Sequence, residues 1–301
     1  MTAADSFVQA VRALPARLRE EALSLPERDR ARAEELRLRA GWPMTAVLEG
    51  EERPLGGPPV EAPELERLVE IASRASLHAV LDQVRRGYLT VEGGHRIGLC
   101  GTADLRDGEI HSLRHISSAN LRIARQVKGA AAPVLDGLCP GGRLADTLIL
   151  APPGLGKTTL LRDLVRLLSQ GTDLCPPCRV ALVDERGELA AVHRGRPQLE
   201  VGCHTDVMDA CPKHLAVPML LRAMTPQVIA LDEVALEADV EAVRSAAGCG
   251  AVLLSTVHAA SREELASRPV GSALLSCGVF RRTVLITGSG SARSCRVERL
   301  S

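Results

Sequence analysis

Short apolar runs separated by helical stretches fill the second half of the chain. The runs are Thr147–Leu150, Val180–Val183, Val228–Leu231, Val252–Ser255 and Val284–Ile286. Each is nearly continuous Val, Ile and Leu, the pattern of a strand buried on both faces. Such strands alternating with helices predict a mainly parallel sheet with helices on both sides. The first half has a different texture. Ser6 to Ala40 is rich in Arg, Glu, Leu and Ala and predicts helix, cut by Pro15 and Pro26. Glu35–Arg39 alternates polar with apolar, as a half-buried strand does. A turn at Gly41–Pro43 precedes a second short strand at Thr45–Leu48, and Glu49–Pro63 reads as a loop. Glu64–Arg86 predicts an amphipathic helix with Leu65, Leu68, Val69, Ile71 and Ala72 on one face, ended by Gly87. Tyr88–Val91, Arg96–Cys100 and Glu109–Leu113 read as strands joined by turns containing glycine. Ser117–Gly142 is transitional, and no internal repeat is visible. The expected organisation is a small α+β domain over 1–125, a junction over 126–145, and an α/β domain over 146–301.

Composition narrows the function classes. The chain has 301 residues, of which 46% are hydrophobic, enough for two ordinary cores. Those cores must be aliphatic, because the chain holds one Trp, one Tyr and two Phe. Thirty-seven basic residues balance 37 acidic ones, so no strong field draws polyanions. With few aromatic stacking groups as well, a nucleic-acid partner is not expected. Met1–Asp5 shows no basic patch followed by an apolar run, and no run approaches the ~18 apolar residues of a membrane span. A cytoplasmic protein is expected, with membrane contact only through partners. Nine scattered cysteines fit a reducing compartment better than a disulfide framework.

The strongest chemical signal spans Leu148–Thr159: an apolar strand, then Ala151-Pro-Pro-Gly-Leu-Gly-Lys-Thr-Thr159, then a helical run. This is the spacing of a phosphate-binding loop, with Ala151 at the first glycine position. Pro153, Gly154, Leu155, Gly156, Lys157, Thr158 and Thr159 form the expected cradle. Backbone N–H groups of Gly154, Gly156 and Lys157 point at a β-phosphate, Lys157 reaches the β- and γ-phosphates, and the Thr158 hydroxyl faces Mg²⁺. The helix adds the positive end of its dipole. ATP and Mg²⁺ are therefore the expected ligands.

Val228–Glu233 is an apolar strand ending in two carboxylates. In a nucleotide site Asp232 holds the metal and its waters, and Glu233 polarises the attacking water. Val252–His258 ends in Ser255, Thr256 and His258, placed beside a γ-phosphate if this strand neighbours Asp232. Val180–Glu188 carries Asp184, Glu185 and Glu188 to the carboxyl edge, where ligands collect in open α/β sheets. A solvated strand end reads the same way for each of these acids. Cys175-Pro-Pro-Cys178 is a lone pair; with Cys203, His204, Cys211 and His214 it makes a zinc site only if all fold close.

With these motifs in place, the chain resembles the stage III sporulation protein AA family. The segments that carry the resemblance are Glu35–Arg39, His115–Arg125, Val183–Leu189, Thr205–Lys213, Leu221–Pro226 and Gly278–Arg282. That family is in turn similar to the ATPases of type II and type IV secretion and of pilus motors. The resemblance implies a RecA-like P-loop NTPase core behind a small α+β domain, and an ATPase working as a homo-oligomer, expected as a hexamer. It implies catalytic parts for Lys157, Glu233, Glu185 (acidic box) and His258 (histidine box). It also implies a place in the mother cell, alongside membrane proteins of a channel to the forespore. Two rival readings are a nucleotide-gated scaffold with little turnover and a nucleic-acid-translocating RecA-like ATPase. A cation from a neighbouring subunit is also expected, with Arg122, Arg125, Arg186 and Arg222 as candidates. The chain departs from the family pattern at Ala151, at Gly187 and after Glu233, where Val234–Glu237 lacks the usual glycine.

Overall fold

The computed structural model describes residues 3–73, 84, 85, 87–288 and 293–300. The chain forms two compact units, residues 1–126 with 191–198, and residues 127–190 with 199–301.

The first unit opens with three short helices, α1 (Ala3–Ala10), α2 (Ala16–Leu23) and α3 (Glu27–Arg32). Pro15 and Pro26 stand at the N-caps of α2 and α3, where a missing N–H costs no helical bond. Six strands follow, all paired antiparallel: β1 (Ala33–Arg39), β2 (Pro43–Leu48), β3 (Glu51–Pro59), β4 (Tyr88–Thr90), β5 (Arg96–Arg106) and β6 (Glu109–Arg122), in the order β3-β2-β1-β6-β5-β4. α4 (Ala62–Ser73) buries Leu65, Leu68 and Ala72. The expected continuation of that helix to Arg86 falls mostly outside the described residues. Phe7, Leu14, Leu18, Leu36, Leu38, Met44, Leu121 and Ile97 meet in one core. Burial of such a side chain contributes ~1.5–3 kcal/mol.

Two expectations are corrected in this unit. Glu51–Pro59 is a strand, not a loop, pairing Ala46 with Arg53 and Leu48 with Glu51. Its prolines and glycines mimic a loop, but β3 lies at the sheet edge, where a proline forfeits no ladder bond. β6 runs on to Arg122 rather than stopping at Leu113. An irregularity between Cys100/Ser118 and Thr102/Arg114, with His115 at φ 47°, breaks the alternation that would have revealed it.

The second unit holds a seven-stranded sheet: β7 (Thr147–Ala151), β8 (Val180–Asp184), β9 (Thr205–Asp209), β10 (Val228–Leu231), β11 (Val252–His258), β12 (Arg282–Thr287) and β13 (Ser294–Arg299), ordered β13-β12-β7-β11-β10-β8-β9. All neighbours are parallel except β12 and β13. Its helices are α5 (Ala132–Leu138), α6 (Lys157–Gln170), α7 (Lys213–Met224), α8 (Glu237–Ala247), α9 (Arg262–Ala266) and α10 (Pro269–Ser276). This is the α/β sheet that the five apolar runs predict. β9 and β13, the two edge strands, were not predicted: β9 is half-buried at every position and β13 mostly exposed, so neither is an apolar run.

Candidate active site

Parallel pairing brings four strand ends to one edge. His258 is level with Ala151, Ser255 with Leu231, and Leu231 with Val183. Whatever follows Ala151, Val183 and Leu231 therefore gathers beside His258, at the edge where α/β sheets bind ligands.

Ala151 ends β7 in strand conformation, fully buried, so its methyl group is accommodated. The loop then turns through Gly154 (φ 78°) and Gly156 (φ 87°), a region that L side chains rarely adopt. Gly156 is the N-cap of α6, and no side chain caps it. The first amides of α6 thus have no side-chain acceptor, and the helix N-terminus is an anion-binding position. α6 is held from below by Leu160, Leu161, Leu164, Val165 and Leu168, all buried.

Lys157 starts α6 and is only 6% exposed. Its Nζ donates to the carbonyls of Ala151 (3.2 Å) and Pro152 (3.4 Å) and contacts His258 Nδ1 at 2.6 Å. Burial pushes its pKa down from the ordinary lysine value, while Glu233 and Asp232 oppose this. His258 Nε2 lies 3.0 Å from Glu233 Oε2, and Arg186 Nη1 reaches the same oxygen at 3.1 Å. An imidazole that accepts from Lys157 on Nδ1 donates from Nε2 to the carboxylate, so one tautomer satisfies both contacts. Lys157, His258 and Glu233 thus form one continuous chain across the ends of β7, β11 and β10.

Asp232 is 5% exposed, and its pKa is pushed up to about 6, first by burial and then by Asp184 and Glu188; the backbone N–H of Glu233 and the charge of Lys213 pull it down. A buried carboxylate facing two other acids calls for a cation. Thr256, next to it on β11, is 1% exposed, and its Oγ1 has no hydrogen-bond partner. An ion such as Mg²⁺ with its waters fits the oxygen donors of Asp232 and Thr256, beside Lys157, Arg162 and Lys213, whose charges also reach Asp232. Thr158, in the first turn of α6, is half-buried. Pro153 and Gly154 are exposed, and Leu155 and Thr159 are half-buried.

Other acids at the edge have different occupations. Asp184 accepts backbone N–H groups from Glu188, Leu189 and Ala190 at 2.8–3.1 Å and shapes the turn after β8. Arg162 of α6, buried and unremarkable in the sequence, closes the same turn by donating to Leu189 O (2.7 Å) and Glu188 O (2.6 Å). Glu185 is held by Lys213 Nζ at 2.7 Å and does not join the Lys157–His258–Glu233 chain. Ser255 Oγ donates to Leu231 O within the sheet, so its hydroxyl is not presented beside Thr256. Lys213 was missed because it stands at a helix start, where lysine is ordinarily solvated; here it is 5% exposed, between Glu185 and Asp239. Of the cysteines, Cys203 contacts its neighbour His204, and Cys178 and Cys211 donate to nearby carbonyls. Among the described residues no group of three or more His, Cys, Asp or Glu side chains is arranged to hold a metal ion.

A model of the family described as "Sporulation stage III, protein AA" matches residues 6–297. The chain belongs to the stage III sporulation protein AA family. Stage III sporulation protein AA of Bacillus subtilis (strain 168) is 37% identical over 256 residues, covering 85% of this chain and 83% of that protein. Two solved ATPase structures share the fold at 15% identity. The pilus retraction motor PilT, solved with ADP, has a TM-score of 0.61 over 89% of this chain and 79% of its own. The Legionella pneumophila ATPase DotB has 0.56 over 88% and 76%. This family member therefore has the fold of these two ATPases, with an antiparallel sheet preceding the RecA-like core. No helix among its described residues is long and apolar enough to cross a membrane.

Proposed function

We propose that this protein hydrolyses ATP and uses the cycle to power or assemble a secretion-like channel between mother cell and forespore. The observation that carries the reading is the Lys157–His258–Glu233 chain beside a buried, cation-seeking Asp232. In this reading the Gly154–Lys157 backbone and the Lys157 ammonium bind the β- and γ-phosphates of the substrate. Thr158 and Asp232 would hold Mg²⁺, which when bound would supply positive charge to the phosphate end of the substrate. Glu233 orients the attacking water and takes its proton: Oε2 is engaged by His258 and Arg186, while Oε1 faces no partner among the described residues. His258 passes the state of the phosphate end to Glu233, because Lys157 must release Nδ1 to reach a phosphate. Glu185, tied to Lys213, positions the turn from which Arg186 reaches Glu233.

The family membership supports a place in the mother cell, working with membrane proteins. Exposed Leu215 and Met219, one turn apart on α7, and exposed Leu236 support assembly into a homo-oligomer, read as a hexamer. A second reading is a nucleotide-gated scaffold with little turnover, favoured by the inward fold of Lys157 onto Ala151 O and Pro152 O. Phosphate release by wild type and Glu233→Gln separates the two. The motor reading expects Mg²⁺-dependent release that falls ~100-fold or more in the variant, in line with loss of a general base. Equal, background rates in both proteins would support the scaffold instead.

A further inference from the structure

The phosphate loop has a second cation beside it, from the other end of the unit's sequence. Arg293 directly precedes β13, and its guanidinium lies against Gly156. A side-chain carbon on Gly156 would begin 2.7 Å from Arg293 Nη1, 3.2 Å from Cζ and 3.5 Å from Nη2. Both residues belong to the second unit. Arg293 is exposed; among the described residues it makes no hydrogen bond or ion pair, and its charge reaches only the Cys295 thiol. It therefore stands at a position that is already positive, from the α6 N-terminus and Lys157, with no acid of its own. Such an arrangement is electrostatically costly without an anion between the groups and favourable with one. The planar guanidinium, with its fork of N–H donors, suits phosphate oxygens in particular.

We propose that Arg293 is a phosphate ligand supplied in cis, gripping the diphosphate portion of the bound nucleotide at the Gly156 end of the loop. The inference rests on the nucleotide reading of the site and assigns a residue that the loop motif does not contain. Arg293 lies against Gly156 and is not part of the Lys157–His258–Glu233 chain, so it serves binding rather than water activation. It therefore acts on ADP as well as ATP.

The test uses the full chain and a fluorescent N-methylanthraniloyl-ADP with Mg²⁺. Arg293→Ala is expected to weaken its affinity about tenfold, the effect of losing one charge-assisted contact. Arg293→Lys, which keeps the charge but not the fork, should recover part of that loss. KM for ATP should rise in proportion while kcat stays within about twofold, and the thermal midpoint without nucleotide should not fall. An Arg293→Ala protein that binds within about twofold of a wild type that itself binds well overturns this inference alone. A wild type and a Lys157→Ala protein that both lack affinity overturn the nucleotide reading and this inference with it.

Discussion

Asp232 pairs a functional demand with a cost in stability. In the folded protein its pKa is about 6, against an ordinary value of 3.8, and burial is the main cause. A raised value means the folded state holds the proton more tightly. The stability this confers is fully present below 3.8 and is lost as pH rises through about 6. The difference corresponds to ~3 kcal/mol at pH 8. Asp232→Asn, a neutral isostere, should therefore melt higher than wild type at pH 8, by roughly 2–4 °C per kcal/mol recovered. The two should converge near pH 4, and the variant should lose Mg²⁺-dependent nucleotide stabilisation. Thermal melts at both pH values check this; equal midpoints at pH 8 would mean that Asp232 carries no burial penalty. At this same scale most residues of the candidate site stand out in the sequence. Lys157, Asp232, Glu233 and His258 were readable because strand ends and a glycine loop announce them. Arg162, Lys213 and Arg293 were not, because each sits among ordinary helix or loop residues and acquires its role only through tertiary placement.

Among the elements, the central strands and the edge strand β4 were legible, and the other edges were not. β7, β8, β10, β11 and β12 are buried on both faces or nearly so, and their sequences carry that fact. β3, β9 and β13 are edge strands with one or both faces in water, so polar residues, glycine and proline replace the apolar run. The long β5–β6 hairpin hides behind its bulge. Close packing of elements is invisible to periodicity altogether. At the α9–α10 junction a side-chain carbon on Gly271 would clash with the Leu265 carbonyl oxygen, a backbone atom. Gly271→Ala should therefore destabilise the second unit by about 1–3 kcal/mol through overpacking, measured by denaturant titration. An unchanged midpoint would show that α9 and α10 separate at little cost.

For the whole molecule, the sequence reading of an α+β region followed by a parallel α/β core agrees with the six-stranded antiparallel and seven-stranded, mostly parallel sheets. The excursion of residues 191–198 was not foreseen. It clusters with the first unit, where Gln198 Oε1 accepts the N–H of Gly93 and His193 Nδ1 contacts Thr90 O. Nothing in the local pattern between β8 and β9 marks those eight residues as part of another core; only the three-dimensional contact does. In the proposed function, residues from four strands of the second sheet converge on one nucleotide. Equilibrium binding of Mg²⁺·ATP to wild type and to Lys157→Ala tests it most directly. Affinity should fall about 100-fold or more in the variant, with its fold intact by circular dichroism; undiminished affinity in Lys157→Ala would mean that no nucleotide binds at this loop.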